Sequence, residues 1–195
     1  MPDDPVVLAL GDSLTAGYGL ARHQSFAAQL EQRLRLRARW PAARVVNAGV
    51  SGDTTADGLR RLPRVLAGLD GRPDLAIVEL GANDLLRGLS PATTRANLDA
   101  ILIELARCGI PVLLATFEVP AMLGAHADRY NGIYPALAKR HGVPTHPFFP
   151  AGVMGHPSLV LADRLHPNAA AIGLVADAFL PVVTRLLDTP AAKAA

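Results

Sequence analysis

The sequence predicts an α/β fold in which helices cover both faces of a parallel sheet. Three observations carry that prediction. Five short aliphatic runs punctuate the chain, stretches of helical period separate them, and neither a linker nor an internal repeat divides the series. The 195 residues, 50% of them hydrophobic, fit one domain over residues 1–195. A chain of that size buries roughly 70% of the surface it exposes when unfolded and needs no disulfide or metal to hold a core.

The expected strands are Val6–Leu10, Arg44–Asn47, Leu75–Leu80, Ile110–Thr116 and Val143–Pro147. Their centres (Val6-Val7-Leu8, Val45-Val46, Ile77-Val78, Val112-Leu113-Leu114) are continuously apolar rather than alternating, as strands covered on both faces are. Between them, Phe26, Leu30 and Leu34 recur at four-residue spacing and mark a first helix. A second carries Leu59, Leu62 and Leu66 but includes Pro63, so a kink or a late start is expected there. A third carries Leu98, Ile101, Leu102 and Leu105, opened by Ser90-Pro91 and closed by Gly109. Tyr130, Ile133, Tyr134, Leu137 and His141 repeat the pattern up to Gly142, with the same caution at Pro135. Ile172, Ala176, Phe179, Val183 and Leu186 form the last helix.

Composition removes several function classes. A net charge of +2 from 19 Lys+Arg and 17 Asp+Glu leaves no electrostatic footprint for nucleic acid. High apolar content with low net charge excludes disorder. The single Cys108 cannot form an intramolecular disulfide, and its place at the end of a helical pattern suggests a buried structural thiol. Neither Cys-x-x-Cys nor His-Glu-x-x-His occurs, so no metal site is expected. The longest uncharged stretch, His141 to Ala162, is interrupted by four prolines and is not a membrane span. The first residues lack the basic start and apolar run of a signal peptide. A cytoplasmic location is expected for the chain as written, or a periplasmic or secreted one if a leader was removed.

Right-handed crossovers place the loops that follow the strands on one sheet edge, where ligands bind in open α/β sheets. The first such loop reads Gly11-Asp12-Ser13-Leu14-Thr15-Ala16-Gly17. Ser13 reads either as a helix N-cap or as a hydroxyl presented at that edge. It is not the Gly-x-Ser-x-Gly elbow, which fails at Thr15. After the second strand, Gly52 reads as a turn glycine or as a backbone N–H open to a ligand. After the third, Asn83 in Gly81-Ala82-Asn83-Asp84 reads as an Asx-turn or as an amide donor facing the same crevice. Near the C-terminus, Asp163 stands three residues before His166, and Pro167-Asn168 looks like a helix start. His166 then sits at the positive end of a helix, which disfavours imidazolium, and Asp163 would offset this and hold the ring through Nδ1. Together these positions supply a nucleophile, a base, an orienting carboxylate and an oxyanion site.

Four blocks, Gly11-Asp12-Ser13-Leu14, Gly52, Gly81-x-Asn83-Asp84 and Asp163-x-x-His166-Pro167, resemble in order and separation those of the SGNH, or GDSL, serine hydrolases. The longer runs Ser51-Gly52-Asp53-Thr54 and Val78-Glu79-Leu80-Gly81 resemble the bacterial thioesterase I, lysophospholipase and arylesterase branch, as do Arg129-Tyr130-Asn131 and Ile133-Tyr134-Pro135. The resemblance implies a flavodoxin-like three-layer α/β/α sandwich with sheet order 2-1-3-4-5. It implies Ser13 as nucleophile, His166 as base and Asp163 as its partner, with Ser13 N–H, Gly52 N–H and Asn83 as oxyanion donors. The activity implied is hydrolysis of aryl, short-acyl, thio- or lysophospholipid esters, with a small-molecule ester as partner and no cofactor.

Leu85, Phe117, Glu118 and Val119 are expected to line the substrate groove, as are Phe148, Phe149 and further apolar loop residues. An open, shallow site for short acyl chains and aryl alcohols is expected, with Glu118 disfavouring anionic substrates if it points inward. Three rival readings remain at this point. They are a flavin- or nucleotide-binding module on the same fold, a carbohydrate acetylesterase with the same machinery, and a metal-dependent phosphoesterase using Asp12, Asp84 and His166.

Overall fold

The computed structural model describes residues 4–37, 39–117 and 125–189. Five strands, β1 (Val6–Gly11), β2 (Arg44–Gly49), β3 (Leu75–Glu79), β4 (Val112–Thr116) and β5 (Thr145–Pro147), form one sheet in the order β2-β1-β3-β4-β5. Every adjacent pair is parallel. The fold class and strand order are those expected. Strands β1 and β2 run one and two residues further than the sequence pattern indicated, and this extension carries Gly11 and Gly49 to the functional edge in register.

Side chains alternate across the sheet and fill two cores. Val7, Ala9, Leu75, Ile77, Leu113 and Ala115 face α2 (Phe26–Arg35) and α8 (Ala169–Asp188). Leu8, Leu10, Ala76, Val78, Val112 and Leu114 face α3 (Thr55–Ala67), α5 (Pro91–Arg107) and α7 (Ile133–His141). Double coverage accounts for the unbroken apolar runs, since both faces of each central strand are inside.

The second helix does not wait for Pro63. It begins at Thr55 because Thr54 and Asp57 form a reciprocal capping box, Asp57 N donating to Thr54 Oγ1 (3.3 Å) and Thr54 N to the Asp57 carboxylate (3.0 Å). Burial of Leu62 then carries the helix through the proline. The stretch from Tyr130 to His141 is two helices, α6 (Ala125–Asn131) and α7, parted at Gly132. Pro135 falls in the first turn of α7, where its missing N–H costs nothing. Helix α5 starts and stops as expected, with Ser90 Oγ accepting from Thr93 N (3.0 Å). Cys108, at its C-cap, is only partly buried rather than interior.

Helix α8 is long and apolar enough to cross a membrane, with a mean hydropathy of 1.8. Here Ile172, Val175, Ala176, Phe179 and Val183 of α8 are spent on the core. Phe179 packs edge-on against Phe26 and Phe148, at ring centroid distances of 5.0 and 5.9 Å. Arg33 Nε pairs with Asp177 Oδ1 at 2.6 Å, and Gln29 donates to the Ala169 carbonyl at 3.0 Å. These contacts fix the start of α8 against α2, and with it the segment that carries His166.

Candidate active site

The Ser13 loop is shaped by two close approaches. Ser13 is the first residue of a single helical turn, α1 (Ser13–Ala16), capped by Asp12, whose Oδ1 accepts from Leu14 N at 3.0 Å. A Cβ on Gly49 would run into the Ala16 backbone, and one on Gly11 would run into Thr15. Only glycine at both positions lets this turn settle onto the ends of β1 and β2.

His166 arrives from the other end of the chain. Asp163 Oδ1 accepts from Leu165 N and His166 N, both at 3.0 Å, in an Asx-type turn that holds Arg164 at φ 57°. Asn168 caps α8 through Ala171 N (3.1 Å) and donates to the Ser158 carbonyl (2.8 Å), anchoring the turn from behind. The imidazole Nε2 then lies 3.1 Å from Ser13 Oγ, while Nδ1 lies 2.7 Å from Asp163 Oδ2. Three residues separated by up to 153 positions thus form one hydrogen-bonded line. The two backbone N–H groups, that of Leu165 first, and the His166 ring push the Asp163 carboxyl down to about 2. It is therefore ionised wherever the fold is intact near neutrality.

Asn83 joins the three loops. It stands in α4 (Ala82–Leu86), and its Nδ2 donates to Asp12 Oδ2 and to the Asp53 carbonyl, both at 3.0 Å. Asp12 adjoins Ser13 and Asp53 adjoins Gly52, so the amide sits within one residue of both other expected oxyanion donors. The N–H groups of Ser13 and Gly52 have no acceptor among the described residues. Gly52 takes φ +87°, and Arg87 Nη2 donates to its carbonyl at 2.6 Å. Arg61 bonds Asp53 Oδ2 (2.5 Å) and the Gly11 carbonyl (2.9 Å), tying the Gly52 loop to the end of β1.

The residues of the phosphoesterase reading do not converge. Asp84 is fully buried, and its oxygens accept from Thr55 N (2.8 Å), Thr55 Oγ1 (2.5 Å) and Thr94 Oγ1 (3.1 Å). It anchors α4 to α3 and α5 and does not face His166. Tyr134 OH donates to the Leu80 carbonyl (3.0 Å) and Tyr130 OH to that of Leu89, bracketing α4 on both sides.

The expected substrate-lining residues fare unevenly. Leu85 and Phe117 are partly buried and pack against the α3/α5/α7 core. Glu118 and Val119 lie outside the described residues. Phe148 belongs to the interior, 1% exposed among Phe26 and Phe179, and is no part of a groove wall.

Sequence reasoning gave Tyr18 and Glu79 no role in the hydrolase site and read Asp12 only as a metal ligand of the phosphoesterase alternative. Tyr18, half exposed, lays its ring over His166 at a centroid distance of 4.3 Å. Asp12, just past the end of β1, and Glu79, the last residue of β3, are buried carboxyls, 1% and 3% exposed. The signal for Glu79 was present, as a carboxyl standing inside an otherwise aliphatic strand. Burial raises the Asp12 carboxyl to about 6, and burial followed by the neighbouring Asp12 charge raises Glu79 well above the carboxylate range.

A stability prediction follows from Asp12. Its folded pKa of about 6 exceeds the ordinary 3.8, so the folded state holds a proton that the unfolded chain has released. The site therefore loses stability as pH rises through that window. Asp12→Asn, which cannot ionise, should show a smaller fall in Tm between pH 4.5 and 7 than the wild type, measured by calorimetry. Equal falls would contradict the burial argument.

A family model of GDSL-like lipases and acylhydrolases matches residues 9–171, a span that includes Ser13, Gly52, Asn83, Asp163 and His166. The chain belongs to the GDSL-like lipase/acylhydrolase family. It is 37% identical to an arylesterase of Vibrio mimicus over 172 residues, covering 88% of this chain and 84% of the relative. It is 38% identical to thioesterase 1/protease 1/lysophospholipase L1 of Escherichia coli K12, covering 88% and 79%. The crystal structure of AlinE4, an SGNH-hydrolase family esterase, superposes with a TM-score of 0.78 at 47% identity, covering 97% of this chain and all of that one. The reaction class follows from family and homologues together: the chain is an ester hydrolase of the SGNH type.

Proposed function

We propose that this SGNH hydrolase cleaves aryl and short-acyl carboxylic esters through an acyl-enzyme on Ser13. The observation that carries the proposal is the line Ser13 Oγ, His166 Nε2, His166 Nδ1, Asp163 Oδ2, with contacts of 3.1 and 2.7 Å. His166 takes the hydroxyl proton as Ser13 attacks the ester carbonyl and gives it to the departing alcohol. Water then repeats the exchange on the acyl-enzyme. Asp163 holds the ring with Nε2 facing the serine and offsets the charge the ring gains. The amides of Ser13 and Gly52 and the side chain of Asn83 meet the negative charge that develops on the carbonyl oxygen.

Exposure supports the substrate class. Tyr18 is 50% exposed beside the imidazole, leaving an aromatic face open to an aryl leaving group. The arylesterase of Vibrio mimicus lends its name to the same reading, and the thioesterase of Escherichia coli extends it to thioesters. Hydrolysis of p-nitrophenyl esters from acetate to palmitate should give the highest kcat/KM at short acyl chains, with phenyl acetate also cleaved. A rise in kcat/KM toward the longest chains would contradict this substrate class, and a marked preference for acetylated xylan would move it to carbohydrate esters.

A further inference from the structure

The proposed mechanism leaves unused a carboxyl that the fold buries directly behind the nucleophile. Glu79 ends β3, with its Cα paired in register to Gly11, the residue two before Ser13. Its Oε2 accepts from Thr15 Oγ1 at 2.9 Å and from Asp12 N at 3.4 Å. Thr15 lies in the same helical turn as Ser13, and Asp12 caps that turn. Its side chain also hydrogen-bonds that of Asp12. Asp12 in turn accepts from Leu14 N through Oδ1 and from Asn83 Nδ2 through Oδ2, both at 3.0 Å.

We propose that Glu79 is a positioning residue for ester hydrolysis, held on Asp12 by its contact to Thr15 and setting, through Asp12, the Asn83 amide.

Two physical arguments support this. First, a carboxyl inside a five-residue strand that is buried throughout would be replaced at no loss by an aliphatic side chain if it served packing alone. Its neighbours here are polar groups of the nucleophile loop, and each is satisfied through it. Second, both protons of the Asn83 amide already have acceptors, Asp12 Oδ2 and the Asp53 carbonyl. A carbonyl oxygen developing charge must share or take one of them. How firmly Asp12 holds the amide therefore sets how readily Asn83 serves the oxyanion. A protonated Glu79 hydrogen-bonded to Asp12 spreads the Asp12 charge and loosens that hold. A Glu79 that donates in this way is neutral, and Gln in its place keeps a donor and an acceptor.

The inference rests on the proposed role of Asn83 and Ser13, and the test separates the two. Steady-state kcat and KM are measured on p-nitrophenyl acetate for the wild type, Glu79→Ala, Glu79→Gln, Asn83→Ala and the double variant Glu79→Ala/Asn83→Ala. Glu79→Ala should lower kcat by about tenfold or more with KM within about threefold. Glu79→Gln should recover most of that loss. In the Asn83→Ala background, Glu79→Ala should cost little further, because its effect passes through the amide. Should Glu79→Ala fail to fold, Thr15→Val removes one Glu79 contact with no change of shape, and its loss in kcat should likewise shrink in the Asn83→Ala background. Independent, multiplying effects would overturn the proposal, as would a Glu79→Gln variant as slow as Glu79→Ala. A Ser13→Ala protein as active as the wild type would instead overturn the reading of the site itself.

Discussion

Ser13→Ala should lose about 10⁴- to 10⁶-fold in kcat on simple esters while keeping the thermal stability of the wild type. The Oγ atom is partly exposed, and its recorded hydrogen-bond partner is His166 Nε2 at 3.1 Å. Nothing in the core depends on it. Its backbone carbonyl still accepts from Gly17 N (3.0 Å) and Asp12 still caps the turn, so the fold has no reason to respond. Rate loss without stability loss separates a nucleophile from a structural serine. His166→Ala should match it in size, and the double variant should be hardly slower than either single one, since serine and imidazole act as a unit. A Ser13→Ala enzyme with a tenth of wild-type kcat would point to another attacking group.

Asn83→Ala should cost about 10²- to 10³-fold in kcat, the usual loss for one oxyanion donor. KM should change far less, because the ground-state carbonyl needs the amide less than the transition state does. Here a stability penalty accompanies the kinetic one. Removing the amide strips a donor from Asp12 Oδ2, which is 1% exposed with the residue as a whole, and another from the Asp53 carbonyl. Leaving such acceptors unpaired costs about 1–3 kcal/mol each where water cannot enter. Calorimetry alongside kinetics would show both effects, and an Asn83→Ala enzyme of unchanged kcat would remove Asn83 from the oxyanion site.

The fold was legible because periodicity and sheet topology reinforce one another. Continuous aliphatic runs could only be strands covered twice, and helices between them forced parallel pairing. Strand and helix limits were less so. Gly11 and Gly49 extend β1 and β2, yet glycine carries no apolar signal, and the reason for it appears only when α1 is seen against both strand ends. The start of α3 is written in Thr54 and Asp57, whose capping box sets the first turn eight residues before Pro63 can act on the helix. At the site, Ser13, His166 and Asp163 stood out as candidates through their residue types, their places after strands and the order and separation of the four blocks, and the structure brings their side chains into one hydrogen-bonded line. Glu79 escaped because a carboxyl reads as solvent-facing until register places it indoors, and for the same reason Asp12 read as a metal ligand rather than as a buried cap. Tyr18 over His166 depends on how the turn at Gly17 closes in αL, with φ at 84°, which no linear pattern expresses.

Chemical trapping addresses the account most directly. The protein would be treated with a phosphonofluoridate, digested and examined by mass spectrometry, with Ser13→Ala treated in parallel. A single adduct on the peptide containing Ser13, absent from the variant and accompanied by stoichiometric loss of esterase activity, is the expected result. Full inactivation with the label on another peptide, or an enzyme that stays active and unlabelled, would contradict a covalent intermediate on this serine.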